Sequence, residues 1–324
     1  MPIKIPDNLP ARKTLQEEGV DVISEQDAIR QDIRPLRFAL LNLMPEKIKT
    51  ETQITRLLGA SPLQIEVTLI TTASYTPTNT PREHMLAFYE PFHEIEDQSF
   101  DGLIVTGAPV EEMPFEEVQY WDELTQVFDW AETNVHSTFN ICWGAQASLY
   151  HHYKIPKYSL PQKIAGVFPH RINRRNAGLV RGFNDQFFVP VSRYTEVRGT
   201  DIDKHSELEV LIESDKSGIC LIHDRVRHDV HIFNHLEYDT WTLSDEYNRD
   251  VKARPDTVFV PHHYFPDDNP ALTPHNTWRA HGHLLFSNWI NLVYQSTPFE
   301  LDSLGKERKK MGKAKGAKGS KAEV

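Results

Sequence analysis

The sequence predicts an α/β fold built on a doubly wound, mostly parallel sheet. Short apolar runs of strand length alternate with amphipathic stretches of helix length along most of the chain. The runs are nearly continuous in apolar residues, the mark of strands covered on both faces. Several of them end abruptly in Gly, Pro or Cys, where the chain must turn into a helix.

Taken in order, residues 1–34 are polar and punctuated by proline, and read as an arm that packs on the domain surface. Leu36–Leu43 is the first strand, and Pro45 opens a helix over Glu46–Leu58 with Ile48, Ile54, Leu57 and Leu58 at helical spacing. Gln64–Ile70 is a second strand, followed by a helix near Arg82–Tyr89. Asp101–Gly107 is a third strand. Phe115–Thr133 reads as one helix, directing Trp121, Leu124, Val127, Phe128 and Trp130 to the core. Val135–Ile141 is a fourth strand that runs into Cys142 and another helix. The stretch Lys154–Arg198, with scattered Pro, Gly and Arg, predicts irregular, substrate-facing loops. Leu208–Ile212, Gly218–Ile222 and Val230–Asn234 are strands, and Trp241–Lys252 and Thr277–Gln295 are helices. Right-handed crossovers then place residues 35–299 in a single domain. Residues 300–324 form a basic tail, too poor in apolar surface to fold.

A chain of 324 residues with 39% hydrophobic content buries a sizeable core. No apolar run is long enough to span a membrane, the N-terminus lacks the apolar stretch of a signal peptide, and two cysteines make no disulfide framework. These features predict a cytoplasmic protein without a membrane partner. Residues Lys306–Val324 contribute a net +6, leaving −17 on the rest of a chain whose formal charge is −11. A body so acidic argues against nucleic acid as a partner. His262-His263 and His281-Gly282-His283 predict no metal site, because adjacent or His-x-His side chains on a helix splay apart.

The chemistry concentrates at Cys142. An apolar strand meets the cysteine, Gly144 follows two positions later, and a helix begins. That is the layout of a nucleophile elbow, in which a sharp turn lifts the nucleophile above the sheet. A helix N-terminus lowers the thiol pKa and offers N–H groups to an oxyanion. The alternative is a buried structural thiol, the reading retained for Cys220, which sits mid-strand between Ile219 and Leu221. A thiol needs a base, and the base needs an orienting partner. His235, just past an apolar strand, with Glu237 two residues on, supplies both.

Cys142, Gly144 and Gln146, followed by His235-Leu236-Glu237, resemble the Cys–His–Glu triad of class I glutamine amidotransferases. Val105-Thr106-Gly107-Ala108-Pro109 resembles their oxyanion loop. Asn140 departs from that pattern, where those enzymes usually carry Gly. A closer resemblance, over about Pro2 to Phe299, is to the homoserine O-acyltransferase family, the one with homoserine O-succinyltransferases. It is carried by Leu41-Asn42-Leu43-Met44-Pro45-Glu46-Lys47, Phe100–Pro109, Ser192-Arg193-Tyr194, Tyr264-Phe265-Pro266 and Trp278-Arg279 with His281-Gly282. The resemblance implies a flavodoxin-like, class I glutamine amidotransferase-like fold. It also implies Cys142 as acyl-thioester nucleophile, His235 as base, Glu237 as its partner, and Lys163, Ser192 and Arg249 as homoserine-binding residues. Lys47 is placed near the thioester or the CoA phosphates, or else as a solvated lysine at a helix start. Trp143 lends its backbone N–H to the oxyanion.

The implied reaction is ping-pong acyl transfer from an acyl-CoA co-substrate to the hydroxyl of L-homoserine, a step toward methionine, with no bound cofactor and with a homodimer by analogy. In this family the position of Glu111 tracks the donor, Gly in succinyl users and Glu in acetyl users. A glutamate there would repel the terminal carboxylate of succinyl-CoA by roughly 4 kcal/mol at 4 Å in an effective dielectric near 20. The expectation is therefore acetyl-CoA and O-acetyl-L-homoserine. The alternatives are succinyl-CoA as donor, or a glutamine amidotransferase or amidase on the same fold.

Overall fold

A computed structural model of the chain describes residues 3–17, 22–23, 34–75, 79–253, 258–301 and 304. The expected basic tail from Gly305 onward lies outside the described residues, as does most of the second half of the N-terminal arm.

All strands of the described residues belong to one sheet of twelve. In chain order they are β1 (Ile3–Lys4), β2 (Val22–Ile23), β3 (Leu36–Leu41), β4 (Ile65–Thr71), β5 (Tyr89–Pro91), β6 (Phe100–Val105), β7 (Val135–Ile141), β8 (Tyr158–Ile172), β9 (Gln186–Glu196), β10 (Leu208–Ser214), β11 (Gly218–Asp224) and β12 (Asp229–Ile232). The spatial order is β2-β1-β4-β3-β6-β7-β12-β11-β10-β8-β9, with β5 paired to β4. Every pairing from β2 across to β12 is parallel. Those from β12 onward to β9 are antiparallel.

Helices cover both faces of the parallel half, so its strands are apolar throughout. All residues of β6 and β7 are buried. Alternate residues of β3 feed opposite layers. Phe38 and Leu40 join Ile54, Leu57, Trp289 and Ile290 of the helices Lys47–Leu58 and Arg279–Ser296. Ala39 and Leu41 join Leu124, Val127 and Phe128 of Trp121–Asn134 and Ala147 of Trp143–Tyr153. The N-terminal arm does more than lie on the surface: β1 pairs with β4 and extends the sheet, while Ala11 and Leu15 of the helix Ala11–Glu17 are buried.

Two expectations need correction. Phe115–Thr133 is not one helix. A single 3-10 turn at Phe115–Glu117 ends where Val118 takes extended angles (φ −72°, ψ 125°), and the α-helix begins at Trp121. The stretch Lys154–Arg198 is not irregular but mainly the long hairpin of β8 and β9. Its prolines suggested loops, yet a register shift between Ser159 and Ile164 accommodates Pro161, and Pro190 lies on the terminal strand of the sheet, where a missing N–H breaks no ladder. The signal was present in Phe187, Val189 and Val191, which are buried in alternation with exposed Gln186 and Phe188.

The chain leaves β3 for β4 on one side and returns to β6 on the other, so the order reverses at β3. At such a switch point the loops beyond the C-terminal strand ends diverge and open a crevice. The segments after β3, β6, β7 and β12 all reach that crevice, and the candidate site lies there.

Candidate active site

Cys142 follows β7 with φ 52° and ψ −115°, a conformation that side chains rarely adopt. Bonds on both sides hold it there. Its N–H donates to the Ile232 carbonyl at 2.7 Å, and its own carbonyl accepts the N–H groups of Ala145 (3.1 Å) and Gln146 (3.2 Å). The turn needs Gly144, where a Cβ would stand 2.6 Å from the Thr106 carbonyl oxygen and 3.0 Å from that of Val105. Gly107 runs so close that its own Cβ would lie 3.2 Å from Cβ of Cys142. The helix that starts at Trp143 leaves its first N–H groups without intrahelical acceptors beside that loop.

Three residues beyond β12, His235 is buried and tied by its N–H to the Pro190 carbonyl at 2.9 Å. Its Nδ1 lies 2.7 Å from Oε1 of Glu237, so Nδ1 carries the proton and Nε2 is left to act. The ring stacks on Tyr238 at 4.2 Å and lines the same cavity as the Cys142 thiol. Burial alone would lower the imidazole pKa, but the charges of Glu237 and Cys142 outweigh it and hold the pKa well above its ordinary value. The thiol is held up by burial and then by the Glu111 charge, with His235 and Arg193 pulling the other way.

These groups face a cavity of about 270 Å³ that Lys163, Ser192 and Arg249 also line. The three come from β8, β9 and the helix Thr242–Ala253, and Glu246 and Asp250 of that helix gather them. Glu246 accepts the hydroxyls of Tyr238 (2.6 Å) and Ser192, and lies 3.4 Å from Nζ of Lys163. Asp250 accepts Lys163 at 2.7 Å and Arg249 at 2.9 Å. Burial would raise the Glu246 pKa, but Lys163, Ser192 and Tyr238 bring it below the usual carboxylate range. The site thus offers fixed charges of both signs within reach of a thiol and an imidazole.

Glu111 stands on the loop beyond β6. Its Oε2 accepts the N–H groups of Tyr194 (2.8 Å) and Thr195 (3.3 Å), and the Lys157 ammonium clamps its carbonyl at 2.6 Å. Burial raises its pKa, opposed by those donors and by His235.

Lys47 and the indole of Trp143 are elsewhere. Lys47 is 2% exposed, neither solvated nor lining the cavity; its Nζ bonds the Asn42 carbonyl and lies 5.4 Å over the Tyr89 ring. Glu51, buried in the same cluster, draws the lysine inward, and burial lowers its pKa to about 8. The Trp143 side chain packs against Phe115 and Tyr120, so only its backbone borders the elbow. Cys220 is buried in β11, two strands from β7. Sequence reasoning missed Tyr238, Glu246, Asp250 and the buried Arg193, whose guanidinium bonds the carbonyls of Ser217 and Ile219 and the Asn234 side chain. One available signal was the helical spacing that puts Glu246, Arg249 and Asp250 on one face.

Fold and site together define a class I glutamine amidotransferase-like α/β protein with a Cys–His–Glu constellation. Solved structures of that fold match at low identity. A glutamine amidotransferase from Thermotoga maritima superposes with a TM-score of 0.55 at 12% identity, covering 82% of this chain and 100% of that one. A putative GMP synthase component from Thermoplasma acidophilum gives 0.52 at 12% identity, covering 81% and 96%. The sequence places it more narrowly. The family model described as homoserine O-succinyltransferase matches residues 2–299, and the chain belongs to that family. Curated relatives are 57% identical over 305 residues in Hyphomonas neptunium and 55% identical over 306 in Brucella canis. Each alignment covers 94% of this chain and all of the relative, and both relatives are named homoserine O-acetyltransferase.

Proposed function

We propose that this enzyme transfers an acetyl group from acetyl-CoA to the hydroxyl of L-homoserine through an acyl-enzyme on Cys142. The observation that carries the proposal is that Cys142 and His235 share one cavity with Lys163, Ser192, Arg249 and Glu111. The thiol and imidazole suit acyl transfer, the lysine, serine and arginine suit an amino-acid acceptor, and Glu111 disfavours an anionic acyl group.

The Cys142 thiol gives its proton to Nε2 of His235, and the sulfur attacks the thioester carbonyl. N–H groups at Trp143 and in the loop after Gly107 receive the oxyanion. The C–S bond to CoA breaks, and the CoA thiolate leaves with the proton from His235. Homoserine then enters. Lys163 and Arg249 attract its carboxylate, and Glu246 its ammonium. His235 takes the hydroxyl proton, the oxygen attacks the acyl-enzyme, and the Cys142 sulfur is expelled. Glu237 keeps the imidazole in the tautomer both halves require. The product, O-acetyl-L-homoserine, feeds methionine biosynthesis.

The experiment is to supply homoserine with acetyl-CoA or succinyl-CoA and follow CoA release. Faster release with acetyl-CoA is expected. Preference for succinyl-CoA would overturn the role given to Glu111, and release with neither donor would overturn acyl transfer. Ammonia from glutamine would then mark an amidase.

A further inference from the structure

A second cavity, of about 490 Å³, adjoins the one at Cys142 and shares Glu112, Lys163, Tyr194 and Glu246 with it. Beyond those shared residues the lining includes the polar Gln162, Asp250 and His262, and apolar walls from Leu160 and Pro161 of β8, Leu243 of the helix Thr242–Ala253, and Phe259 and Val260. Phe259 is 64% exposed at its edge. Homoserine and an acetyl group are small, and the 270 Å³ space already holds the ionic groups proposed to bind them. The apolar trough has no part in that reading.

The chemistry says what must lie there. His235 protonates the leaving thiolate in one half-reaction and deprotonates the attacking hydroxyl in the other. Both atoms therefore occupy the same place near Nε2, on the same side of the acyl carbon. The rest of the thioester donor must then run outward through the space that homoserine later fills, past Lys163 and Glu246. The continuation of that space is the trough. A chain of methylenes and amides suits its mixture of apolar walls and polar rim.

We infer that the trough walled by Leu160, Leu243, Phe259 and Val260 binds the pantetheine arm of coenzyme A during acylation of Cys142. The inference rests on the acetyl-CoA reading and adds to it the path of the donor. It makes homoserine and the donor mutually exclusive on the free enzyme, because the arm crosses the Lys163–Glu246 junction.

Three acetyl donors of increasing length test it on the full chain with homoserine present: S-acetyl-N-acetylcysteamine, S-acetylpantetheine and acetyl-CoA. In the unsubstituted enzyme kcat/KM should rise about tenfold or more from the first donor to the second, where the arm is completed. Leu160→Glu and Val260→Trp, which charge or fill the trough, should each remove most of that gain. Equal kcat/KM for the two shorter donors in the unsubstituted enzyme would overturn the inference without any variant. So would a gain that survives both substitutions, since the arm would then lie elsewhere. Thiol release from none of the donors would instead fault the acetyl-transfer reading.

Discussion

Glu111 and Tyr194, 83 positions apart in the chain, are joined by a 2.8 Å hydrogen bond from the Tyr194 N–H to the Glu111 carboxylate. The bond ties the loop after β6 to the last strand of the sheet and holds a carboxylate on the wall of the Cys142 cavity. A side chain so anchored cannot swing away from an incoming negative group. Glu111→Gly should therefore raise kcat/KM for succinyl-CoA by about tenfold to a thousandfold, the range set by partial to full relief of like-charge repulsion. Acetyl-CoA should be affected far less. Steady-state kinetics with both donors decide the matter, and an unchanged donor ratio would remove Glu111 from the account of specificity.

His235 draws its raised pKa from Glu237, whose charge opposes the effect of burial. In the proposed reaction the neutral imidazole accepts the homoserine proton, so activity should rise with pH as His235 loses its proton. Removing the Glu237 charge lowers the His235 pKa. Glu237→Gln should accordingly move the acid limb of the pH–rate profile for homoserine to lower pH, while the plateau falls by about a hundredfold or more through loss of the tautomer and its orientation. An acid limb that stays in place would show that another group sets it.

At Gly144 a methyl group would stand 2.6 Å from the backbone oxygen of Thr106, just beyond β6, which has no rotamer to adopt. Gly144→Ala should cost about 2–4 kcal/mol of stability and push the elbow out of shape. The expected readouts are a lowered Tm and slower alkylation of Cys142 by iodoacetamide. An alanine variant with native Tm and native alkylation rate would show that the Thr106 segment yields easily.

His231 lies in β12, buried, with neither ring nitrogen hydrogen-bonded among the described residues. Burial lowers its pKa to about 4. The unfolded chain binds a proton below its ordinary value of 6.5 and the folded one does not, so His231 removes stability as pH falls from 6.5 towards 4. His231→Leu should flatten the fall of stability across that window, by on the order of 3 kcal/mol at its acid end, followed as Tm against pH. Parallel Tm–pH curves for the two proteins would rule the contribution out.

Much of the parallel half was legible because its physics is local. Val135–Ile141 is an unbroken apolar run of strand length, and the Cys142-x-Gly144 turn that follows it announces an elbow from neighbouring residues alone. The β8–β9 hairpin was not, because Pro161 and Pro190 act as loop signals until the register shift and the edge position that excuse them are known. Lys47 gave no sign of burial: Glu51 lies only one turn along the same helix, but the cluster that buries it is completed by His84 and Tyr89, far along the chain.

By itself, the order of residues settled the strand–Cys142–helix turn, the His235-x-Glu237 pair and the alternation that builds a doubly wound sheet, since each depends on groups within a few positions of one another. Only the tertiary structure decided which distant groups meet: Glu111 with Tyr194, His235 with Pro190, and Lys163 with Glu246 and Asp250. Those meetings follow from the order and register of twelve strands, a property of the whole packed sheet. A charged side chain on a helix face reads the same whether it ends in water or, like Glu246, in a site.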